Sequence, residues 1–400
     1  PTPFHIYDEK WIRQNAQKMK KAFAQFPWFK EYFAVKALPN PFIMKILNEE
    51  WFGADCSSLP ELLLSEKAGI TWENIMFTSN DTPIWEFQKA KELWAVINLD
   101  DITHIDFIDA NIWLPELICF RYNPGPAREW NDIIWNPKEA KYWFTKEQLF
   151  EWYAKCKEKW VKRFGLHTMV ISNELNEEYF VQTAKMLFEL VVEINQQLDI
   201  KIEFVNLWGG IWIPYKSDQK SVDFDIIAIW VMMNYDNLIK KNWLDWLKIF
   251  MECGRVITWP YGYLVTKVLH QKNIYKTYIW LDACMANLMR PALYWAYHHI
   301  SVLWKEAQPC DNIYDVTWSL CENNDKFAID RSLPKIDIWD LVVIHDSGAH
   351  GHAMGFNYNW KLRSAELLMW ENWNVDLIRR AETIDDYFQT LDFDKLSLFK

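Results

Sequence analysis

Apolar and polar positions follow two textures along the chain. From residue 31 to about 256, apolar runs of strand length alternate with stretches that carry the 3.6-residue period of amphipathic helices. The runs 31–37, 52–57, 75–79, 95–99, 117–122, 164–170, 202–207 and 249–253 predict strands. The stretches 41–50, 59–68, 83–93, 101–110, 145–160, 174–197 and 223–241 predict helices between them. Ser57-Ser58 followed by Pro60-Glu61 predicts a helix start with a serine cap. Eight strands alternating with helices over about 225 residues predict an α/β fold, a (β/α)8 TIM-like barrel. A doubly wound open sheet is the alternative, because periodicity does not establish closure. Beyond 256 short β-rich runs take over, at 256–258, 262–271, 277–282, 297–302, 312–317 and 340–345. They predict a second, antiparallel β domain. The expected division is residues 1–25 (a strand at 2–7 and a basic helix at 8–26) joining the β domain, a barrel over 26–256, and the β domain over 257–400.

A barrel collects its chemistry at the C-terminal ends of its strands. Those ends carry Lys36, Asp55-Cys56-Ser57, Ser79-Asn80, Asp100, Arg121-Tyr122-Asn123, His167 with Ser172, Gly209-Gly210, and Glu252 with Arg255. An ammonium such as Lys36 at the end of a buried run is costly unless paired, and desolvation turns it into a nucleophile toward carbonyls. The plainer reading is a strand-end lysine reaching water. Gly209-Gly210 after a strand allows backbone N–H groups to approach a phosphate, although a simple turn has the same appearance. Glu252 and Arg255 either pair with each other or serve a ligand, the carboxylate on a ring nitrogen and the guanidinium on a phosphate. Cys321-Glu322-Asn323-Asn324-Asp325 is a solvated acidic loop or a site. His345, His350 and His352 match no strong metal spacing, so no metal is expected. No G-x-S-x-G, Walker A or G-x-G-x-x-G run occurs.

Composition changes this picture at three points. A net charge of −11 disfavours nucleic acid or an anionic membrane as partner. Neither a membrane-spanning apolar run nor a signal-peptide pattern at Pro1–Asp8 is seen, and seven scattered cysteines fit reduced thiols, so a cytoplasmic location is expected. There are 26 tryptophans against 11 glycines, and several sit where turns call for glycine: Trp243, Trp339, Trp360 and Trp373.

Phe33-Ala34-Val35-Lys36-Ala37, Gly53-Ala54-Asp55, Arg121-Tyr122-Asn123-Pro124-Gly125, Gly209-Gly210 and Glu252-Cys253-Gly254-Arg255 form one half of a recognisable set. Asp282-Ala283-Cys284-Met285, Arg290-Pro291-Ala292-Leu293-Tyr294, Cys321-Glu322 and Asn357-Tyr358-Asn359 form the other. Together, over nearly the whole chain, they resemble the diaminopimelate decarboxylases, fold-type-III enzymes dependent on pyridoxal 5'-phosphate (PLP). The resemblance implies decarboxylation of meso-diaminopimelate to L-lysine. It implies Lys36 as the lysine that holds PLP and Glu252 at the pyridine nitrogen. It further implies Asp55, His167, Ser172, Gly209, Gly210, Arg255 and Tyr358 around the cofactor. Arg290 and Tyr294 would bind a substrate carboxylate. Cys321 and Glu322 would enter across the interface of a homodimer with shared active sites, the thiol near the reacting carbon. Related alternatives are a carboxynorspermidine- or ornithine-type decarboxylase, and an inactive homologue or engineered variant. The chain departs from the family at Trp208 and Trp212, where the family's loop has glycine, and at Met169, where its ring-stacking histidine usually stands. It departs also at His350, in place of a phosphate-contacting tyrosine, and at Trp259, Trp280, Trp295 and Trp318, each where glycine is expected, a pattern that points to glycines replaced systematically or wrongly written as tryptophan.

Overall fold

The computed structural model describes residues 1–26, 28–125, 144–169, 174–216 and 219–398. By its internal contacts the chain divides into two units, residues 11–257 and residues 1–10 with 258–400. Residues 11–25 thus fall in the first unit and the strand Phe4–Asp8 in the second.

The first unit is a closed barrel of eight parallel strands. They are Phe29–Ala34, Gly53–Cys56, Ile75–Thr78, Val96–Leu99, Leu117–Tyr122, Arg163–Thr168, Ile202–Asn206 and Lys248–Met251. The last pairs with the first, Phe29 opposite Ile249 and Glu31 opposite Met251, which closes the ring and excludes the open sheet. Strands buried on both faces need continuous apolar runs, and Ile75–Thr78 and Val96–Leu99 are buried at every residue. Tyr32, Met76, Val96, Leu117, Cys119, Phe204 and Phe250 fill the interior as one cluster. Each such side chain contributes roughly 1.5–3 kcal/mol on burial, so the barrel is a packed core with chemistry confined to its rim.

The helices begin where the caps predict. Asn40 Oδ1 accepts from the Phe42 N–H at 3.1 Å ahead of Pro41–Glu49, and Thr145 with Gln148 forms a reciprocal capping box ahead of Lys146–Glu158. The start at Leu59 is made differently from expectation. Ser58 gives no side-chain cap, and Glu61 Oε2 instead accepts from the Ser57 N–H at 2.6 Å and its hydroxyl at 3.0 Å. Residues 256–258, expected as a strand, form part of a helical turn, Arg255–Thr258.

The second unit is a nine-stranded sheet. Its longest strand, Gly262–Asn273, pairs antiparallel with Phe4–Asp8, Thr277–Leu281 and Leu341–Ile344. The sheet is mainly antiparallel, with two parallel pairings: Phe4–Asp8 beside Ala365–Met369, and Thr277–Leu281 beside Asn312–Thr317. Leu264, Val268, Ile279, Leu281, Val316 and Val342 lie in its core. The strands Lys326–Leu333, Ala365–Met369 and Val375–Arg379 were not expected, because charged residues interrupt their alternation.

Candidate active site

Barrel topology brings the rim residues together in the first unit. The strand Phe29–Ala34 ends two residues before Lys36, which stands in a short turn, Val35–Ala37. That turn is pressed against the segment after the last strand. The Ala34 N–H donates to Cys253 O at 3.2 Å, and a Cβ on Gly254 would lie 2.8 Å from that of Ala37. Lys36 is exposed at this rim, so a buried ammonium is not what the structure shows.

Glu252 is buried, with Oε1 accepting from Asn206 Nδ2 at 2.6 Å and Oε2 3.1 Å from His167 Nε2. Burial pushes its carboxyl up to about 7, against the pull of Arg121, Lys36 and the Asn206 bond. Burial, with Arg121 and Lys36 adding to it, holds His167 well below the usual imidazole range, so the ring is neutral. Asp55 is buried and raised by desolvation and by Glu252, and its Oδ1 has no hydrogen-bond partner among the described residues. A third carboxylate, Glu31, accepts from the Cys253 N–H and is raised by burial above all. Arg121 pairs with Asp100 at 2.9 Å in a buried bridge and also donates to Asn80. Three buried carboxyls around one exposed lysine and one buried guanidinium leave room for a proton to be held at neutral pH.

The glycine loop follows the strand Ile202–Asn206. A Cβ on Gly209 would lie 2.2 Å from the Glu252 backbone oxygen, so only glycine lets the loop approach that strand end. Gly210 stands at φ 77°. The indole of Trp208 lies among Lys36, Arg121 and His167: its ring centre is 4.9 Å from Lys36 Nζ, 5.6 Å from the Arg121 guanidinium and 5.5 Å from the His167 ring, edge-on. Trp212 stacks with the Arg255 guanidinium at 5.1 Å. Ser172 lies outside the described residues.

The second unit carries the remaining expected residues, in two groups that share a packing cluster. Arg290 is buried at the start of the turn Arg290–Tyr294, with its guanidinium over the rings of Trp259 at 4.6 Å and Tyr294 at 5.3 Å. Cys321, Glu322 and Tyr358 are exposed. The Cys321 N–H donates to Asn359 Oδ1 at 2.9 Å, and the charge of Glu322, with a hydrogen bond to it adding less, raises the Tyr358 phenol. Ala292 from the first group and Leu320 beside the second belong to one apolar cluster. Asp325 fixes the acidic loop by accepting from the Met285 and Leu320 N–H groups at 2.8 and 3.0 Å.

Sequence reading missed the roles of Asn206, Glu31 and Asp325. Barrel register was the available signal for the first, since Asn206 is the last residue of its strand and faces Phe250.

Residues 9–259 match the family described as "Pyridoxal-dependent decarboxylase, pyridoxal binding domain". The chain is 39% identical over 399 residues to "Protein TabA" of Pseudomonas amygdali pv. tabaci, covering 100% of this chain and 93% of that protein. It is 30% identical to the diaminopimelate decarboxylase of Methanothermobacter thermautotrophicus, covering 96% and 90%. The crystal structure of diaminopimelate decarboxylase from M. jannaschii in co-complex with L-lysine superposes with a TM-score of 0.90 at 27% identity, covering 98% and 92%. With a family match over more than half its length and a closed barrel carrying a lysine and a buried glutamate at one rim, the chain belongs to the fold-type-III, PLP-dependent amino-acid decarboxylases.

Proposed function

We propose that the chain decarboxylates meso-diaminopimelate to L-lysine. The observation that carries the chemistry is Glu252, a buried carboxyl near neutrality, hydrogen-bonded by Asn206 and His167 at the rim that bears Lys36. The names of several relatives support the substrate, as does a buried guanidinium, Arg290, together with an exposed carboxylate, Glu322, that a second copy of the chain would bring to the site. Such a pair suits an amino acid with a distal carboxylate and a distal amine. The 39% relative bears another name, so an acid of the same class but different substituents is the second reading.

PLP, the family's cofactor, supplies an electron-poor ring that takes up the electron pair left as CO2 departs. The polar residues fit it: Lys36 would be its attachment, Glu252 would face its ring nitrogen, Asp55 has a buried oxygen without a partner among the described residues, and Gly209 with Gly210 forms a loop that can approach closely. Arg255 is assigned to the phosphate. Trp208 and Trp212 do not fit, because their indoles fill the space beside Lys36 and Arg255. Glu252 would hold a proton toward that ring because burial makes its charged form costly, with Asn206 and His167 fixing its carboxyl plane. Cys321 and Glu322 are proposed to act across a homodimer interface, Cys321 giving the proton that replaces the carboxylate and Glu322 reading the distal amine. Tyr358, bonded to Glu322, is placed with them. The test is CO2 release from meso-diaminopimelate, L-lysine and L-ornithine by PLP-supplied protein in which glycine replaces Trp208 and Trp212. Release from meso-diaminopimelate alone is expected; preference for either monocarboxylate overturns the substrate.

A further inference from the structure

Seventeen residues other than glycine stand at positive φ among the described residues, and eleven of them are tryptophan. The other six are Asp81, Asp199, Asp330, Asp346, His350 and Asn359, the residue types that tolerate this region. The chain holds 24 phenylalanines and 17 tyrosines, yet none of those described is at positive φ. Bulk and aromaticity therefore do not explain the placement.

Local geometry shows what these positions require. After the helix Leu59–Lys67, Gly69 closes the end: its N–H donates to Glu66 O and the Ile70 N–H to Ser65 O. Trp51 and Phe52 make the same two bonds to Asn48 O and Leu47 O. Trp94 and Ala95 repeat them to Lys91 O and Ala90 O, and Trp243 and Leu244 to Lys240 O and Ile239 O. This closure places a left-handed residue, usually glycine, just past the helix. Trp113 and Trp295 end helices at positive φ as well. Trp72, Trp304, Trp339, Trp360 and Trp373 occupy turns. All ten are more than half exposed, so no core holds their rings. The eleventh is Trp208, in the cofactor loop.

We propose that these eleven positions are glycine in the working enzyme, and that Trp212 in the same loop is a twelfth. Exchange of one residue type for one other, scattered through both units, is the pattern of a codon decoded as glycine by the source cell and written as tryptophan in this sequence. Trp152, buried inside the helix Lys146–Glu158 at 7% exposure, remains tryptophan. Glycine at 208 and 212 removes the two indoles that obstruct Lys36 and Arg255. The inference about the loop rests on the PLP assignment; that about the other ten positions rests on backbone geometry alone.

The test compares the chain as written with a form carrying glycine at all twelve positions (W51G, W208G, W212G and the rest), each supplied with PLP. The glycine form should melt at least about 10 °C higher and bind PLP at least tenfold more tightly by absorbance titration, whereas W152G alone should lower the melting temperature. A tryptophan form that yields no folded protein beside a folded glycine form supports the proposal equally. A glycine form that melts no higher overturns it. If the glycine form is stabler but binds PLP no better, the loop assignment falls. If it binds PLP yet leaves meso-diaminopimelate intact, only the substrate reading falls. Peptide masses of the protein from its source cell read the decoding directly, and tryptophan at 51, 94 and 243 would refute it.

Discussion

Glu252 shows how burial sets chemistry at the level of one residue. Its folded pKa of about 7 lies above the ordinary glutamate value of 4.5, so the native state binds the extra proton between those values. Stability from this group is present below about pH 4.5 and is lost as pH rises through 7, by on the order of 3 kcal/mol at most. Glu252→Gln should therefore flatten the fall in stability between pH 5 and 8 while strongly reducing turnover; an unchanged pH profile of the urea midpoint would contradict the assignment. Lys36 is exposed, so in the form with glycine at the twelve positions Lys36→Ala should leave the melting temperature within about 1–2 °C and abolish turnover. Arg290→Ala should cost several kcal/mol of meso-diaminopimelate binding, of the order expected when a buried charge-assisted bond is half removed. A substrate lacking the distal carboxylate should be far less affected, and equal losses would argue against the role. Lys36, Glu252 and Asp55 were legible in the sequence because a strand pattern places its last residues at the rim. Asn206 was not singled out, since an asparagine at a strand end carries no signal until the partner strand is known.

At the level of elements, the eight barrel strands were legible to within about two or three residues because buried parallel strands need unbroken apolar runs. Val375–Arg379 was not, since all five of its residues are exposed or half-exposed and its alternation carries no apolar face. The two units should respond to acid to different degrees. In the sheet unit, burial above all holds His5 and His352 at about 3 and His298 and His345 at about 4. A histidine with a depressed folded pKa contributes stability above about 6.5 that is lost as pH falls, by up to about 1.4 kcal/mol per group per pH unit. In the barrel His167 is depressed in the same way, but the raised carboxyls of Glu252, Asp55 and Glu31 oppose its effect, so the sheet unit should lose more hydrogen-exchange protection between pH 6.5 and 4 than the Glu252 region does. Loss from both alike would count against these burial effects. Asp325→Ala should loosen the loop that bears Cys321, at about 1–3 kcal/mol for two orphaned N–H groups, read as a lower urea midpoint.

For the whole molecule, the eleven positive-φ tryptophans set the balance. A side chain in the left-handed region costs roughly 1–2 kcal/mol, and eleven such sites match or exceed the stability of roughly 5–15 kcal/mol typical of a domain. Composition made the excess visible in the sequence and turn chemistry singled out Trp243, Trp339, Trp360 and Trp373, while backbone geometry adds Trp51, Trp72, Trp94, Trp113 and Trp304, which carry no turn signal of their own. No helix among the described residues is long and apolar enough to cross a membrane. One lysine at the barrel rim, Lys36, is proposed to hold PLP for an amino-acid decarboxylation. Borohydride treatment of the PLP-loaded glycine form, followed by peptide mass mapping, reads it most directly. The cofactor mass should appear on the peptide containing Lys36 and be absent after Lys36→Ala, whereas bound PLP trapped on any other lysine, or on none, would contradict it.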